Sequence, residues 1–328
     1  MDTGDPKIEP LVGVIIVHYN NVEDTQRCLA SLEGLDYRNF FTVIVDNCSP
    51  NNSGAELRRR FEGDRLQFVL SPENRGFAAA NNIGMGQARA YGAKYFWLLN
   101  PDTEVELSSL SALVAALGEA DEVAACGSKI LYGKTETEGV DESIWGAGGI
   151  VDFEKREVSM RGTQQKDHGQ FDTPTSCDYL PGCSLLVRAD IVERVGAMPE
   201  RYFMYFEETD WCTRMKRAGF QLRYVPTSVV RHYFHDPKMQ EPFGVYYYNR
   251  NELYFWQAFA SRAQRYKISL EVLVKRLPQN VKALFAAPDA HHRSIFLAHV
   301  LSQIDFLLGK TGKRNSFSRS THAIATVT

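Results

Sequence analysis

The feature that most constrains this chain is a rhythm in its first third, where short apolar, β-branched runs alternate with stretches of helical spacing. Residues 11–17 form a continuous apolar run of the kind that a strand buried on both faces requires. Residues 24–35 follow with Cys28, Leu29, Leu32 and Leu35 at helical spacing. The same alternation continues with a strand over 41–45, a polar helix over 53–61 opened by Ser53 as N-cap, and a strand over 66–70. A helix over 78–91, a strand over 95–99, a helix over 107–117 and a strand over 123–126 complete it. Strand–helix alternation at this spacing implies an α/β fold with a mostly parallel central sheet flanked by helices.

In such sheets ligands bind beyond the carboxyl ends of the strands, so the residues that follow each apolar run matter most. They are rich in polar side chains: His18-Tyr19-Asn20, Asp46-Asn47, Asn74-Arg75-Gly76 and Asn100-Pro101-Asp102. Asp46 can accept from a pyrimidine imide or bind a ribose hydroxyl, and the plain alternative is a turn aspartate. In residues 72–82, Gly76 and the alanines allow a helix start to pack closely under a ligand. Its free N–H groups and Arg75 suit a phosphate, unless this is an ordinary strand-to-helix connection. Asp102 can bind Mg²⁺ or Mn²⁺ if donor phosphates supply further oxygens, although Asn, Pro and Asp also make a turn. Glu207, Glu208 and Asp210 stand at a helix start, where the macrodipole favours the ionised form that a base needs. His232, read as lying just after a strand, and His235 add a candidate for metal or phosphate contact.

Farther along, residues 133–175 read as hairpins and a loop, with short pieces at 150–153 and 157–160. A strand over 179–187 is interrupted by Pro181-Gly182, a short helix covers 189–195, and a helix over 208–218 stops at Gly219. A strand returns at 222–225, helices follow residue 246, and the small, basic stretch from Gly309 reads as frayed. Six scattered cysteines without a paired-spacing motif read as buried hydrophobes in a reducing compartment. The net charge of -3 gives no reason to expect nucleic-acid binding. The polar N-terminus carries no signal peptide pattern, which makes the two sequons at Asn47 and Asn51 accidental, and no stretch suits a bilayer crossing. Gly309-Lys310-Thr311 is not a phosphate loop, since Ile304 stands where the earlier glycine belongs.

Seven segments taken in order resemble the family-2 glycosyltransferases of GT-A fold, especially rhamnosyltransferase-like members. They are VGVIIVHYNN, VIVDNCSPNNS, ENRGFAAANN, WLLNPDTE, YLPGCSLLVRAD, RYFMYFEETDWCTR and YYYNRNELYF, within residues 12–256. The resemblance implies a GT-A catalytic domain over 1–245, with a nucleotide-binding half over 10–127 and an acceptor-side half over 128–245. A C-terminal helical extension over 246–310 and a disordered basic tail over 311–328 follow. It implies nucleobase-pocket roles for Val17, Tyr19 and Asp46, and donor-binding roles for Asn74, Arg75, Asn81 and Asp102. Asp102 resembles the last carboxylate of the Asp-x-Asp metal motif and His232 a later metal ligand. Gly182, Cys183 and Glu207 fall in the sugar or acceptor pocket. Glu208 resembles the catalytic base, with Asp210 as the fallback, because Glu replaces the family's Asp at that place. Asn100 replaces the first Asp of the metal motif.

The implied activity is inverting transfer of a sugar, rhamnose from dTDP-rhamnose first and a UDP-sugar next. The acceptor is a hydroxyl of a cell-surface glycan or lipid-linked precursor, and Mg²⁺ or Mn²⁺ is the cofactor. A non-catalytic nucleotide-sugar-binding subunit is the alternative from another class. The lack of G-x-G-x-x-G after the first strand argues against a dinucleotide-dependent dehydrogenase. The expected location is the cytoplasm, with a homodimer and peripheral contact at the inner membrane face both compatible. Residues 245–259 and the basic tail are the candidates for that contact, the competing reading being a helix packed on the catalytic domain.

Overall fold

The computed structural model describes residues 9–133, 142–233 and 241–315. The chain divides into two compact units. The first comprises Met1–Asn74, Ala79–Met198 and Trp211–Phe234, and the second Arg75–Ala78, Pro199–Asp210 and His235–Thr328.

The first unit realises the expected alternation: β1 (Val12–His18), α1 (Val22–Glu33), β2 (Phe40–Asp46), α2 (Ser53–Phe61), β3 (Leu66–Leu70), α3 (Phe77–Ala90, its first two residues in the second unit) and β4 (Tyr95–Leu99). Then come β5 (Thr103–Val105), α4 (Ser109–Leu117), β6 (Val123–Tyr132), β7 (Ile144–Gly146), β8 (Gly149–Asp152), β9 (Glu157–Met160), β10 (Thr175–Ser176), β11 (Ser184–Arg188) and α5 (Ala189–Val195). α6 (Glu207–Arg217) begins in the second unit, closes at Gly219 with φ +92° and leads into β12 (Gln221–His232). The sheet runs β10-β12-β6-β11-β4-β1-β2-β3, with β5 on β12 and β7 on β6. β3, β2, β1 and β4 are parallel, as are β6 and β12, and β11 runs against both β4 and β6. The sheet is therefore mixed but mostly parallel, and its central strands are apolar because both faces are covered: Val12, Val14, Ile15 and Ile16 are all fully buried.

Several sequence expectations shift. Ser53 is the first residue of α2 and not its cap; Asn52, at φ 63°, precedes it without a side-chain cap bond. The Ser53 hydroxyl instead meets His18 Nε2 at 2.8 Å, and Thr25 Oγ1 holds Nδ1 at 2.8 Å. β12 is longer than expected, because a register shift between Val225 and Val229 absorbs Pro226 and pairing resumes to His232. His232 is thus the last strand residue and does not follow a strand; His235 lies outside the described residues. Within 133–175, β8 and β9 form the expected hairpin. All six cysteines are free.

The second unit is helical: α7 (Pro242–Phe259), α8 (Arg262–Glu271), a π-helical turn (Val272–Arg276), α9 (Leu277–Phe285) and α10 (Ala290–Leu307). α10 lies along α7 and α9. α7 starts with Pro242 in its first turn, where a missing N–H costs nothing, four residues before the expected 246. Its aromatic side chains are spent inside: Tyr246, Tyr247, Tyr254, Phe255 and Trp256 are buried. Five of the seven aromatic side chains in residues 245–259 are thus buried, and Tyr248 and Phe259 are half-buried. The stretch from Gly309 is not frayed as far as Asn315. Arg250 donates to Gly312 O at 2.8 Å, Gly312 N to Arg201 O at 2.7 Å and Arg314 N to the Tyr247 hydroxyl at 2.8 Å, and Arg314 pairs with Asp305.

Between a short 3-10 turn (Glu200–Tyr202) and α6, three non-glycine residues carry left-handed backbone: Phe203 at φ 69°, Tyr205 at 67° and Phe206 at 71°. Each such residue costs on the order of 1–3 kcal/mol and persists only where its surroundings over-determine it. The Asn251 amide donates to the carbonyls of Tyr202, Met204 and Tyr205 at 2.9, 2.6 and 3.1 Å, and Arg250 donates to Tyr202 O at 3.0 Å. Gly76, at φ +87°, fits beneath the same run: a Cβ there would lie 2.2 Å from Phe203 O, which also accepts from Phe77 N. The close packing expected at Gly76 is against protein backbone. Asn251→Ala removes three bonds to backbone carbonyls, of which Tyr202 O keeps a second donor, Arg250, so denaturant unfolding of the full chain should show a loss of about 2–4 kcal/mol. An unchanged midpoint would mean that the run holds its shape without Asn251.

Candidate functional site

Strand register in the first unit gathers most of the expected polar residues at one sheet edge. His18 pairs in register with Asp46, Ile16 with Leu99, and Leu99 with Ser184 on the reversed β11. The carboxyl ends of β2, β1 and β4 and the start of β11 therefore lie side by side, where an α/β sheet presents its ligand site.

At the β1–β2 end, Val17 and Tyr19 are half-buried and Asn20 has φ 67°. Asp46 is 7% exposed, and its carboxylate accepts from Ser49 Oγ at 2.5 Å and Ser49 N at 3.3 Å. Ser49 Oγ also accepts from Asn20 N at 2.9 Å, so one serine ties the two strand ends together. Asn47 donates to Asn74 Oδ1 at 3.1 Å, which brings the β3 end into the same group. Gly54 is required here, because a Cβ would sit 2.2 Å from Asp46 Cγ. His18 is fully buried between its two hydroxyl partners, and burial lowers its pKa against the raising effect of Asp46.

At the β4–β11–β12 end, Asp102 Oδ1 lies 3.1 Å from His232 Nε2. The pairing of Thr103 with His232 across β5 and β12 produces this contact. His232 is 3% exposed and Asp102 keeps a quarter of its side chain open. Trp145 meets the imidazole edge-on, 5.2 Å between centroids. Burial works against protonation of His232, but Cys183 and Asp102 outweigh it and push its pKa up to about 10. Asn100 donates its N–H to Cys183 O at 3.1 Å, and its buried Oδ1 has no hydrogen-bond partner among the described residues. Gly182 and Cys183 are buried beside it. Beneath this group a chain of buried hydroxyls crosses four strands: Trp97 Nε1 donates to Ser184 Oγ at 3.1 Å, and Ser128 Oγ meets Ser184 and Ser228 at 2.7 Å each.

Asn81 sits inside α3 at 1% exposure. The neighbouring Asn82, not singled out in the sequence, clamps the Met198 backbone, donating to its carbonyl at 2.9 Å and accepting from its N–H at 3.1 Å.

The second unit holds Arg75, Glu207, Glu208 and Asp210. Arg75 pairs with Glu200 at 3.0 Å, both about half exposed. Asp210, 2% exposed, accepts from Arg201 and from the Tyr202 hydroxyl at 2.6 Å each. Its carboxylate is committed inward, which suits positioning better than proton transfer. Glu207 and Glu208 differ: Oε2 of each is buried with no hydrogen-bond partner among the described residues. Burial, then the charge of Glu208, holds Glu207 well above the usual carboxylate range. Burial raises Glu208 as well, although the backbone N–H groups of Glu208 and Thr209 pull it down. Burial at this helix start thus acts against the dipole, which favours the ionised form. Tyr248, on α7, feels the charge of Glu208 and packs edge-on against Phe206 at 5.1 Å. Only its place in YYYNRNELYF marked it in the sequence.

Among the described residues no group of three or more His, Cys, Asp or Glu could hold a metal ion. Asp102 and His232 could supply two ligands to a cation, and one held there would need further ligands from a bound molecule.

Known proteins agree with the fold and locate the family. A hexosyltransferase of low-salt glycan biosynthesis, Agl10 of Haloferax volcanii, is 24% identical over 213 residues, 64% of this chain and 63% of that protein. The chain thus matches less than two thirds of that relative's length. The N-acetylglucosaminyl-diphospho-decaprenol L-rhamnosyltransferase of Mycobacterium tuberculosis is 28% identical over 236 residues, 67% of this chain and 75% of that one. The crystal structure of GalNAc-T7 with UDP, GalNAc and Mn²⁺ superposes with a TM-score of 0.64 at 14% identity, covering 97% of this chain and 59% of that one. That likeness establishes the GT-A fold. Residues 13–196, more than half of the chain, match the family model described as Glycosyl transferase family 2, and the chain belongs to that family.

Proposed function

We propose that the chain is an inverting glycosyltransferase in which Glu208 takes the proton of an acceptor hydroxyl as that hydroxyl attacks the anomeric carbon of a nucleotide-diphosphate sugar. The observation that carries this reading is the buried Oε2 of Glu208 at the start of α6, which has no hydrogen-bond partner among the described residues. A buried carboxylate oxygen without a donor is costly, and an acceptor hydroxyl supplies that donor. Its raised pKa strengthens Glu208 as a proton acceptor, since a general base works best when its pKa approaches the working pH. Glu207, adjacent and also raised by burial, lines the acceptor side. Asp210 is a positioning residue through Arg201 and Tyr202.

On the donor side, Val17, Tyr19 and Asp46 hold the base and ribose, with Asn74, Arg75 and Asn81 as further donor contacts. Gly182, Cys183 and the unpartnered Asn100 Oδ1 border the sugar. Asp102 and His232 are the residues that would hold Mg²⁺ or Mn²⁺, His232 giving up its extra proton, with donor oxygens filling the remaining positions. When bound, such a cation neutralises charge on the departing diphosphate. The names of the relatives favour dTDP-rhamnose as donor and a lipid-linked diphosphate glycan as acceptor: two of them are the mycobacterial rhamnosyltransferase and the dTDP-rhamnosyl transferase RfbF of Shigella flexneri. The GT-A catalytic domain is assigned to 1–245, its halves meeting near residue 127.

Two measurements test this. Glu208→Gln should bind donor normally in a thermal-shift titration and lose about 10²–10⁴-fold in kcat. For the unaltered chain, kcat/KM should rise with pH along an acid limb centred above the ordinary glutamate pKa of about 4.3, because the base must first lose its own proton. Near-normal turnover in the variant would move the base elsewhere. Separately, a nucleotide-sugar screen with and without Mn²⁺ should show the largest stabilisation for dTDP-rhamnose plus metal. Asp102→Asn should abolish the metal-dependent part; an identical Mn²⁺ response in that variant would remove Asp102 from the metal site.

A further inference from the structure

The helical run of α8, the π-helical turn and α9 spends little of its apolar surface on the protein itself. Over its 24 residues only Ile268 and Val272 are buried, and α9 buries none of its nine. Tyr266, Leu270, Leu273 and Val274 recur at i, i+4, i+7 and i+8, the spacing of one helix face. They are 69%, 41%, 54% and 62% exposed, and Phe285 at the end of α9 is 84% exposed. Single exposed apolar residues are ordinary, but five along one run mark an interaction surface.

Charge identifies the partner. Residues 262–285 contain six Lys and Arg against one acidic residue, Glu271. Arg276 pairs with Glu271 at 2.9 Å and Glu252 at 3.8 Å, and Arg265 is spent on the carbonyls of Ala258 and Ala260. Arg262, Lys267, Lys275 and Lys282 are exposed and make no ion pair among the described residues. A second copy of the chain on this face would set like charges against each other. A bilayer with anionic headgroups satisfies both halves of the surface at once, taking the apolar side chains into the headgroup–acyl boundary while the lysines meet phosphates. No helix among the described residues is long and apolar enough to cross a membrane, so this contact lies on the bilayer.

We propose that the face bearing Tyr266, Leu270, Leu273, Val274 and Phe285, with Arg262, Lys267, Lys275 and Lys282 around it, docks on an anionic phospholipid surface. None of these residues has a role in donor binding or proton transfer, so the docking stands or falls independently of the proposed reaction. Flotation of the full chain with vesicles of phosphatidylcholine, with and without phosphatidylglycerol, tests it. The chain should float with the phosphatidylglycerol vesicles, and raised salt should weaken this. Val274→Ser combined with Phe285→Ser, and Lys267→Glu combined with Lys275→Glu and Lys282→Glu, should each lower partitioning at least about tenfold. Thermal midpoints should be unchanged, since these side chains are exposed; should a combination melt early, Tyr266→Ser alone serves in its place. Absence of flotation, equal flotation with neutral vesicles, or variants that float like the parent would overturn the proposal. So would a dimer, seen by sedimentation, that the Val274 and Phe285 changes dissolve.

Discussion

A side-chain amide holding three carbonyls is what the second unit is organised around. Asn251 is fully buried, and every hydrogen of its amide group is committed to the backbone of residues 202–205. Arg250, 1% exposed, adds its own bond to Tyr202 O and spans from there to the Tyr246 hydroxyl and Gly312 O. Glycine would relieve the left-handed backbone of Phe203, Tyr205 and Phe206, but it would also delete the rings that pack the unit. Phe203 lies 5.0 Å from Tyr247, and Phe206 lies 5.1 Å from Tyr248 and 5.6 Å from Phe255. The strain is kept because the same residues supply the packing. α6 starts immediately after this run, so the direction in which Glu207 and Glu208 project is set by a segment that cannot relax without losing its aromatic contacts.

Three carboxyls on the first turn of α6 share a sequence environment and still end in different surroundings. The helix dipole near an N-terminus is worth roughly 0.3–1 kcal/mol, whereas each unit of pKa displacement by desolvation corresponds to about 1.4 kcal/mol. Burial therefore decides the ionisation of Glu207 and Glu208, and it raises both. Asp210 has a similar degree of burial but finds Arg201 and the Tyr202 hydroxyl, so its charge is compensated. The partners that hold Asp210 in place are what set it apart from Glu208 as a scaffold residue.

The first strands of the first unit were legible in the sequence, and those at its centre, β1, β2 and β4, are buried on both faces. Such strands must be continuous apolar runs, and 41–45 and 95–99 mark β2 and β4 to within a residue at each end, while 66–70 matches β3, an edge strand whose Leu70 is 43% exposed. The polar groups after those runs fall at one edge for the same reason. Features set by tertiary contacts were not legible. Nothing local says that Ser53 serves His18 instead of capping α2, or that pairing continues past Pro226 far enough to put His232 opposite Thr103. The left-handed run at 203–206 has no glycine to announce it, and its stabilising amide lies more than forty residues away. The upward pull of burial on Glu207 and Glu208 was hidden for a related reason, since burial is a property of what packs around a residue and cannot be counted from its neighbours in the chain.

Composition alone also could not separate α7 from the helices that follow. Both stretches are rich in large apolar side chains, and an aromatic helix is the more obvious candidate for contact with a lipid surface. α7 instead buries ten of its eighteen residues, including Arg250 and Asn251, because its polar groups find backbone partners on residues 202–205. α8 and α9 carry lysines where α7 carries tyrosines, and a lysine cannot be taken into a core without an anionic partner. Those lysines keep the run at the surface, and the apolar residues between them stay exposed with it. The same helical period therefore yields a core helix in one stretch and an outward-facing one in the next, and the sign and placement of charge decide between them.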